Sequence, residues 1–331
     1  MPKPPLPPEP TGVGGYTKEP DKMKKHVLTG VLEEFDIMST QRNARKKALE
    51  EMESHSPGKT SAYVAFVSSE TMGASIDSDD IPALGDILMS VGEVEELNLI
   101  INSPGGDGTI AEKIIEMCRS YCDTFRVIVP NRAKSAATII ALGADKIVMG
   151  YCSELGPIDA QVPVLAGNIL QYISAQSFVD ARESLEDRYA EAVKAKKDIK
   201  PILQQIATLD APFIDHCEKL MDFSREVARK YLAKYMFASI TPAAKQAAAI
   251  DNVLDRLSAV NIFKVHGRMI DGHAAKTELG LDPLLLGKED ALWQALWHYY
   301  VRTDVALGRG SATKILESKS NFLVKATTLA Q

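Results

Sequence analysis

Two short stretches hold residue types suited to acyl-transfer chemistry. "PNRAKSAATIIALGAD" (130–145) sets Ser135 ahead of an apolar, small-residue run. A serine there is either a helix N-cap, accepting a free backbone N–H, or a nucleophile. "IINSPGGDGT" (100–109) carries Gly105 and Gly106 where a strand pattern ends and a helix pattern begins. Paired glycines adopt backbone angles closed to other residues and turn N–H groups outward. By itself the stretch reads as a tight strand-to-helix turn or as an anion-binding loop. It is neither GxxxxGK[ST] nor a full GxGxxG, which sets nucleotide phosphate aside.

The spacing joins the two stretches. Ser135 follows Gly106 by 29 positions, and one helix and one strand pattern fill the interval. In a parallel sheet, successive strand ends lie side by side, and ligands bind at the carboxyl ends. The glycine amides and the Ser135 hydroxyl are therefore expected at one edge, a nucleophile facing N–H donors. The Ala136 amide completes a donor pair, and the small side chains of Ala136 and Ala137 leave room for a carbonyl.

The positioning elements follow from the texture. From Thr60, "TSAYVAFVSS", "VEELNLIIN", "TFRVIVP" and "DKIVMG" read as strands. Between them, "DSDDIPALGDILMSVG", "DGTIAEKIIEMCRSYC" and "SAATIIALGA" read as helices. The second carries Ile110, Ile114, Met117 and Tyr121 on one stripe. Strands alternating with helices predict an α/β fold with a parallel sheet core. The expected organisation is a proline-rich tail over 1–22, a helical segment over 23–58 and the core over 59–165. Helices rich in Ala, Glu and Lys follow over 166–245, then a return to the core over 246–285. Residues 286–331 read as an aromatic helix finishing in a polar tail.

"INSPGG", "AKSAATIIALGADKIVMG" and "LGPIDAQ", in that order, resemble the Clp-type, crotonase-like serine peptidases. Within them the signal peptide peptidase A branch is more similar, and the serine dehydrogenase proteinase group more similar again. The resemblance covers residues 61–162 and returns at "GRMIDGHAAKTELGLD" (267–282). It implies a crotonase-like (ClpP-like) core with helical additions, assembled as a homo-oligomer. It also implies peptide hydrolysis through an acyl-enzyme on Ser135. Gly105, Gly106 and Ala136 are implied as oxyanion-hole donors through backbone N–H, and peptide or unfolded protein as substrate.

The resemblance further implies a lysine general base after the nucleophile, and here the sequence departs from it. No lysine occurs from 147 to 193, and "GNILQYISAQSFVDARES" offers Gln171 and Gln176 instead. "VKAKKDIK" supplies Lys194, Lys196, Lys197 and Lys200. A desolvated lysine takes a lowered pKa, which would let any of the four serve. Lys197 is the first candidate base, because "KKDI" resembles a lysine segment of the family. The bland alternative is a solvated charge run. Asp159, near the Clp histidine position, is a possible orienting group. His216 reads as a helix-surface or packed residue, and His266 and His273 as turn residues. Lys134 adjoins Ser135, but neighbouring side chains diverge, so it reads as a partner contact.

Charge and composition narrow the remaining classes. A formal net charge of −6 disfavours a nucleic-acid or anionic-membrane partner. Cys118, Cys122, Cys152 and Cys217 form no CxxC and no zinc pattern, so no metal or redox role is expected of them. The serine hydrolysis that the resemblance implies needs no metal or organic cofactor. The start "MPKPPLPPEPTG" lacks the apolar stretch of a secretory signal, and no apolar run is long enough to span a bilayer. A cytoplasmic setting is therefore expected. Two alternatives to the peptidase remain: a non-catalytic oligomeric scaffold on the same fold, and a crotonase-type acyl-CoA hydratase or hydrolase.

Overall fold

The computed structural model describes residues 38–56, 58–71, 73–167, 169–258, 269–309 and 312–326. The proline-rich stretch over 1–22, the first part of the 23–58 segment and His266 lie outside the described residues.

The centre is a seven-stranded sheet in the order β10-β5-β3-β2-β1-β11-β12. Five strands run parallel: β1 (Ser61–Ser68), β2 (Val94–Asn102), β3 (Cys122–Val129), β5 (Lys146–Met149) and β10 (Leu284–Leu285). The first four are the strands expected from the sequence. β1 shows why they form: seven of its eight residues are buried, as a strand covered on both faces requires. Val64 and Phe66 pack toward one layer, Tyr63, Ala65 and Val67 toward the other.

The first layer contains α2 (Asp80–Val91), α3 (Gly108–Arg119), α4 (Ala136–Leu142), α7 (Ala211–Lys234) and α8 (Ala243–Ser258). Leu84, Ile114, Ile140, Val227 and Leu254 are buried there. The second contains α1 (Met38–Ser54) and α10 (Ala291–Arg309), with Leu49, Met52, Trp293 and Tyr299 against the sheet. In α3 the buried stripe is Ala111, Ile114, Ile115 and Cys118; Ile110 and Met117 on the helix and Tyr121 just beyond it are only partly buried. The helix is thus rotated by about one residue from the expected face.

Two parts of the expected organisation are corrected. Residues 161–174 do not enter the helical region directly. They form an antiparallel hairpin, β7 (Gln161–Ala166) and β8 (Ile169–Ser174), before α5 (Ala175–Lys194) and α6 (Lys200–Ile206). Nor does the chain finish in a polar tail. β11 (Ala312–Glu317) pairs antiparallel with β1, and β12 (Phe322–Ala326) pairs with β11, so the C-terminal hairpin extends the sheet. Its polar residues are drawn into buried ion pairs. Glu317 meets Arg45 at 2.7 Å and accepts from the Tyr299 hydroxyl at 2.7 Å, which ties α1, α10 and β11 together.

Candidate active site

The two chemistry-bearing loops leave the carboxyl ends of β2 and β3 and are joined by backbone hydrogen bonds. Ser103 N–H donates to the Arg132 carbonyl, and Lys134 N–H to the Ser103 carbonyl, each at 3.1 Å. β4 (Arg132–Ala133) then runs parallel to β6 (Glu154–Leu155), whose other edge carries β9 (Ile270–Asp271). Behind the serine, the Thr138 hydroxyl donates to the carbonyls of Ala133 (2.7 Å) and Gly156 (3.0 Å). The Gly156 N–H returns a bond to the Ala133 carbonyl at 3.0 Å. Ser135 is therefore held from the β3 side and from the β6 loop at once.

Ser135 precedes α4 with φ 49° and ψ −117°. Positive φ costs a residue with a Cβ about 1–3 kcal/mol and persists only where surrounding contacts over-determine it. The side chain caps nothing: it makes no hydrogen bond to the first turn of α4. Its carbonyl opens the helix by accepting from Ile139 N–H at 3.1 Å. The N-cap alternative therefore accounts for the position of the residue but not for its hydroxyl. A strained serine on a sharp strand-to-helix turn, its Oγ spared from capping, is the geometry that presents a nucleophile.

The glycine loop passes against this turn. A Cβ built on Gly105 would lie 2.7 Å from the Ser135 Cβ and 2.7 Å from the Lys134 carbonyl oxygen. Gly105 and Gly106 have φ 105° and 152°, and Ile76 runs alongside as a short parallel bridge. Ile76 N–H donates to the Gly105 carbonyl at 2.8 Å, and Asp107 N–H donates to the Ile76 carbonyl at 3.0 Å. Gly105 N–H is itself engaged, donating to the buried Ser103 hydroxyl at 3.1 Å. Among the described residues the N–H groups of Gly106 and Ala136 have no acceptor. Of the three sequence candidates for oxyanion donors, Gly106 and Ala136 are thus the ones with a hydrogen bond to give.

A groove of about 710 Å³ opens over these groups. Gly105, Gly106, Ser135 and Ala136 line it together. Its walls mix apolar Ile76, Ile139, Leu220 and Phe223 with polar Ser75, Asp107 and Thr109, and the hairpin contributes Gln161, Pro163 and Tyr172. Among the described residues that line it, none is lysine, arginine or histidine. Lys134 turns the other way, pairing with Glu154 at 2.8 Å and donating to the Leu155 carbonyl at 3.3 Å. Lys197 is exposed beyond α5 and does not line the groove. Asp159 is buried and lines a separate hollow of about 320 Å³ with Gln176, Arg225 and Asp255. His216 on α7 and His273 on α9 (Gly272–Thr277) are exposed. The geometry brings together the serine and the glycine loop but not the candidate base or orienting group.

The sequence reading missed Ile76, Ser103 and the β7–β8 hairpin as site elements. Ile76 and Ser103 act chiefly through backbone groups or a small hydroxyl, which leave no side-chain pattern to find. Among the described residues no cluster of His, Cys, Asp and Glu has the arrangement of a metal site, and no helix is long and apolar enough to cross a membrane. Burial raises the Cys118 thiol far above its ordinary range and pushes Cys122 up to about 11, so both are protonated, packed groups.

A family model described as "ClpP-like SDH-type serine proteinase" matches residues 75–231. The span takes in Ile76, both loops, the hairpin and most of α7. The chain is 44% identical over 66 residues to uncharacterized protein MJ0137 of Methanocaldococcus jannaschii, covering 20% of this chain and 23% of the relative. It is 31% identical over 105 residues to uncharacterized protein MJ1495 of the same organism, covering 31% of this chain and 36% of the relative. The matches therefore span about a quarter to a third of the length of these curated relatives. Among solved structures, a ClpP1 variant from Listeria monocytogenes aligns with 70% of this chain and 94% of its own, at 12% identity and a TM-score of 0.34.

Proposed function

The chain belongs, through residues 75–231, to the ClpP-like SDH-type serine proteinases, and we propose that it hydrolyses peptide bonds through an acyl-enzyme on Ser135. The observation that carries this reading is the strained Ser135, its hydroxyl free of any capping bond, beside two backbone N–H groups without acceptors. Ser135 Oγ attacks the carbonyl carbon of the scissile bond while a base takes its proton. The oxyanion that forms is held by the N–H groups of Gly106 and Ala136. Loss of one such donor typically costs ~10²–10³ in rate. Collapse expels the amine, which leaves with a proton from the conjugate acid of the base, and water then releases the acyl group. No step needs a metal or an organic cofactor.

The base completes the reading. Lys197 fills this role here only from a neighbouring copy, in keeping with the homo-oligomer that the family resemblance implies. The substrate proposed is a peptide or unfolded protein, entering the groove in extended form beside the hairpin. The setting proposed is cytoplasmic.

One further observation favours a second reading. Since no described lysine, arginine or histidine lines the groove, the second reading is a non-catalytic oligomeric scaffold on the same fold. Labelling with a fluorophosphonate reporter separates the two. The peptidase reading expects the wild type to be modified at Ser135 and Ser135→Ala not at all. It also expects Lys197→Ala to slow labelling ~10²–10⁴-fold. A folded wild type that resists the reagent and leaves labelled casein intact would favour the scaffold. A solution mass of 36.1 kDa at every concentration would refute the oligomer and with it the shared base.

A further inference from the structure

We propose that Lys314, on the C-terminal hairpin, is a positioning residue that aims the Gly106 N–H at the oxyanion. This inference rests on the reading of Ser135 and Gly106 given above.

The chain of contacts begins at Ile76. Its N–H holds the Gly105 carbonyl at 2.8 Å, and its carbonyl holds Asp107 N–H at 3.0 Å. A trans peptide points its C=O and N–H in opposite directions. Fixing the Gly105 carbonyl on Ile76 therefore fixes the Gly106 N–H away from Ile76. If the Gly105–Gly106 peptide rotates, the donor leaves the groove, and two glycines offer little resistance to rotation. The orientation is thus only as firm as the 75–80 loop that carries Ile76.

That loop is anchored from the far end of the chain. Lys314 is fully buried, and its Nζ donates to the Ser75 carbonyl, the residue beside Ile76, at 2.5 Å. It also meets both carboxylate oxygens of the buried Asp80, at 2.9 and 2.8 Å, and Asp77 at 3.0 Å. Lys325 on β12 joins the same two carboxylates at 3.0 Å each. Asp80 in turn accepts from Asp77 N–H at 2.9 Å. Every group that faces Lys314 in this set belongs to the 75–80 loop, the start of α2 or β12. A buried ammonium is costly, and paired removal with its carboxylate is often neutral for stability. A fully buried lysine spent on a loop carbonyl one residue from the site is a means of fixing that loop.

The test separates tether from stability. Lys314→Met alone strands a buried carboxylate and endangers folding. The combined Lys314→Met, Asp80→Asn variant removes charge from both sides, keeps side-chain size and leaves Lys325 to pair with Asp77. The fluorophosphonate reporter bonds to Ser135 Oγ with loss of fluoride, and its phosphoryl oxygen takes the oxyanion position. The expected result is a folded protein whose maximal labelling rate falls at least ~10-fold, with reagent half-saturation within twofold. Hydrogen exchange should quicken at Ile76 and Asp107 while the β2 and β3 amides hold. Lys325→Gln, which leaves the Ser75 tether, should change the rate much less. A folded double variant labelled at the wild-type rate overturns the inference and leaves the proposed function standing. A wild type that is never labelled overturns the proposed function. Exchange then decides only whether Lys314 holds the loop: quickening at Ile76 and Asp107 supports the tether, and unchanged exchange overturns it.

Discussion

Gly105 runs directly against Ser135: a Cβ on the glycine would sit 2.7 Å from the Ser135 Cβ, closer than two such carbons approach. The contact makes the glycine loop and the Ser135 turn a single packed unit. Gly105→Ala must push the loops apart, and its φ of 105° is strained for alanine besides. Fluorophosphonate labelling of Gly105→Ala should fall at least ~100-fold, in line with loss of an oxyanion donor. Labelling within threefold of wild type would show that the contact does not set the geometry.

Ser135 bears backbone strain without a compensating cap. Ser135→Gly removes the hydroxyl and relieves the positive φ. It should abolish labelling and raise stability by about 1 kcal/mol, the low end of the strain range after glycine's entropic cost. Ser135→Ala should leave stability unchanged, because the hydroxyl makes no capping bond. Denaturant titration of the three proteins checks this. A loss of about 1 kcal/mol in Ser135→Ala would restore the capping role.

Glu317 is fully buried between the Arg45 guanidinium and the Tyr299 hydroxyl. Glu317→Ala leaves Arg45 buried without its bidentate partner. Breaking such a pair from one side costs about 3–5 kcal/mol. The loss should appear as a lower urea midpoint at unchanged slope. A change under 1 kcal/mol would show that the carboxylate contributes little to holding α1 and α10 on the hairpin.

How far the site was legible follows from the kind of signal each part carries. Ser135 and the glycine pair were legible because alternating strand and helix patterns bring consecutive loops to one sheet edge. The strand-like runs of β1 to β3 stood out because both faces of the sheet are covered. The β7–β8 hairpin did not, since Pro163 and Gly167 interrupt a weak alternation and α5 follows at once. The C-terminal hairpin was misread for a physical reason. Lys314, Glu317 and Lys325 look like solvated charges until β11 pairs with β1 and buries the first two fully. Their partners Asp80 and Arg45 lie more than two hundred residues away in sequence. No local window holds both halves of such a pair. The oxyanion donors proposed are backbone amides, and Ile76 meets the glycine loop through its backbone, so no side chain announces either.

The Asp77 carboxyl supplies a pH test of the same network. Burial works to raise its pKa, but hydrogen bonds from Lys325 and Lys314 outweigh it and leave the value below the ordinary 3.8. A carboxyl with a depressed folded pKa contributes stability that is present above its unfolded pKa. That contribution is lost as pH falls through the folded value. The stability difference between wild type and Asp77→Asn should therefore be constant from pH 7 to about pH 5 and shrink below pH 4. Asp77 is partly exposed, so the difference should be small and weaken further in salt. Lys325→Gln should narrow the same pH dependence, because it removes one of the two hydrogen bonds that depress the carboxyl. A wild-type-to-Asp77→Asn difference that stays level down to pH 3 would show that Asp77 keeps an ordinary pKa. The two lysines would then hold the loop through Asp80 and the Ser75 carbonyl.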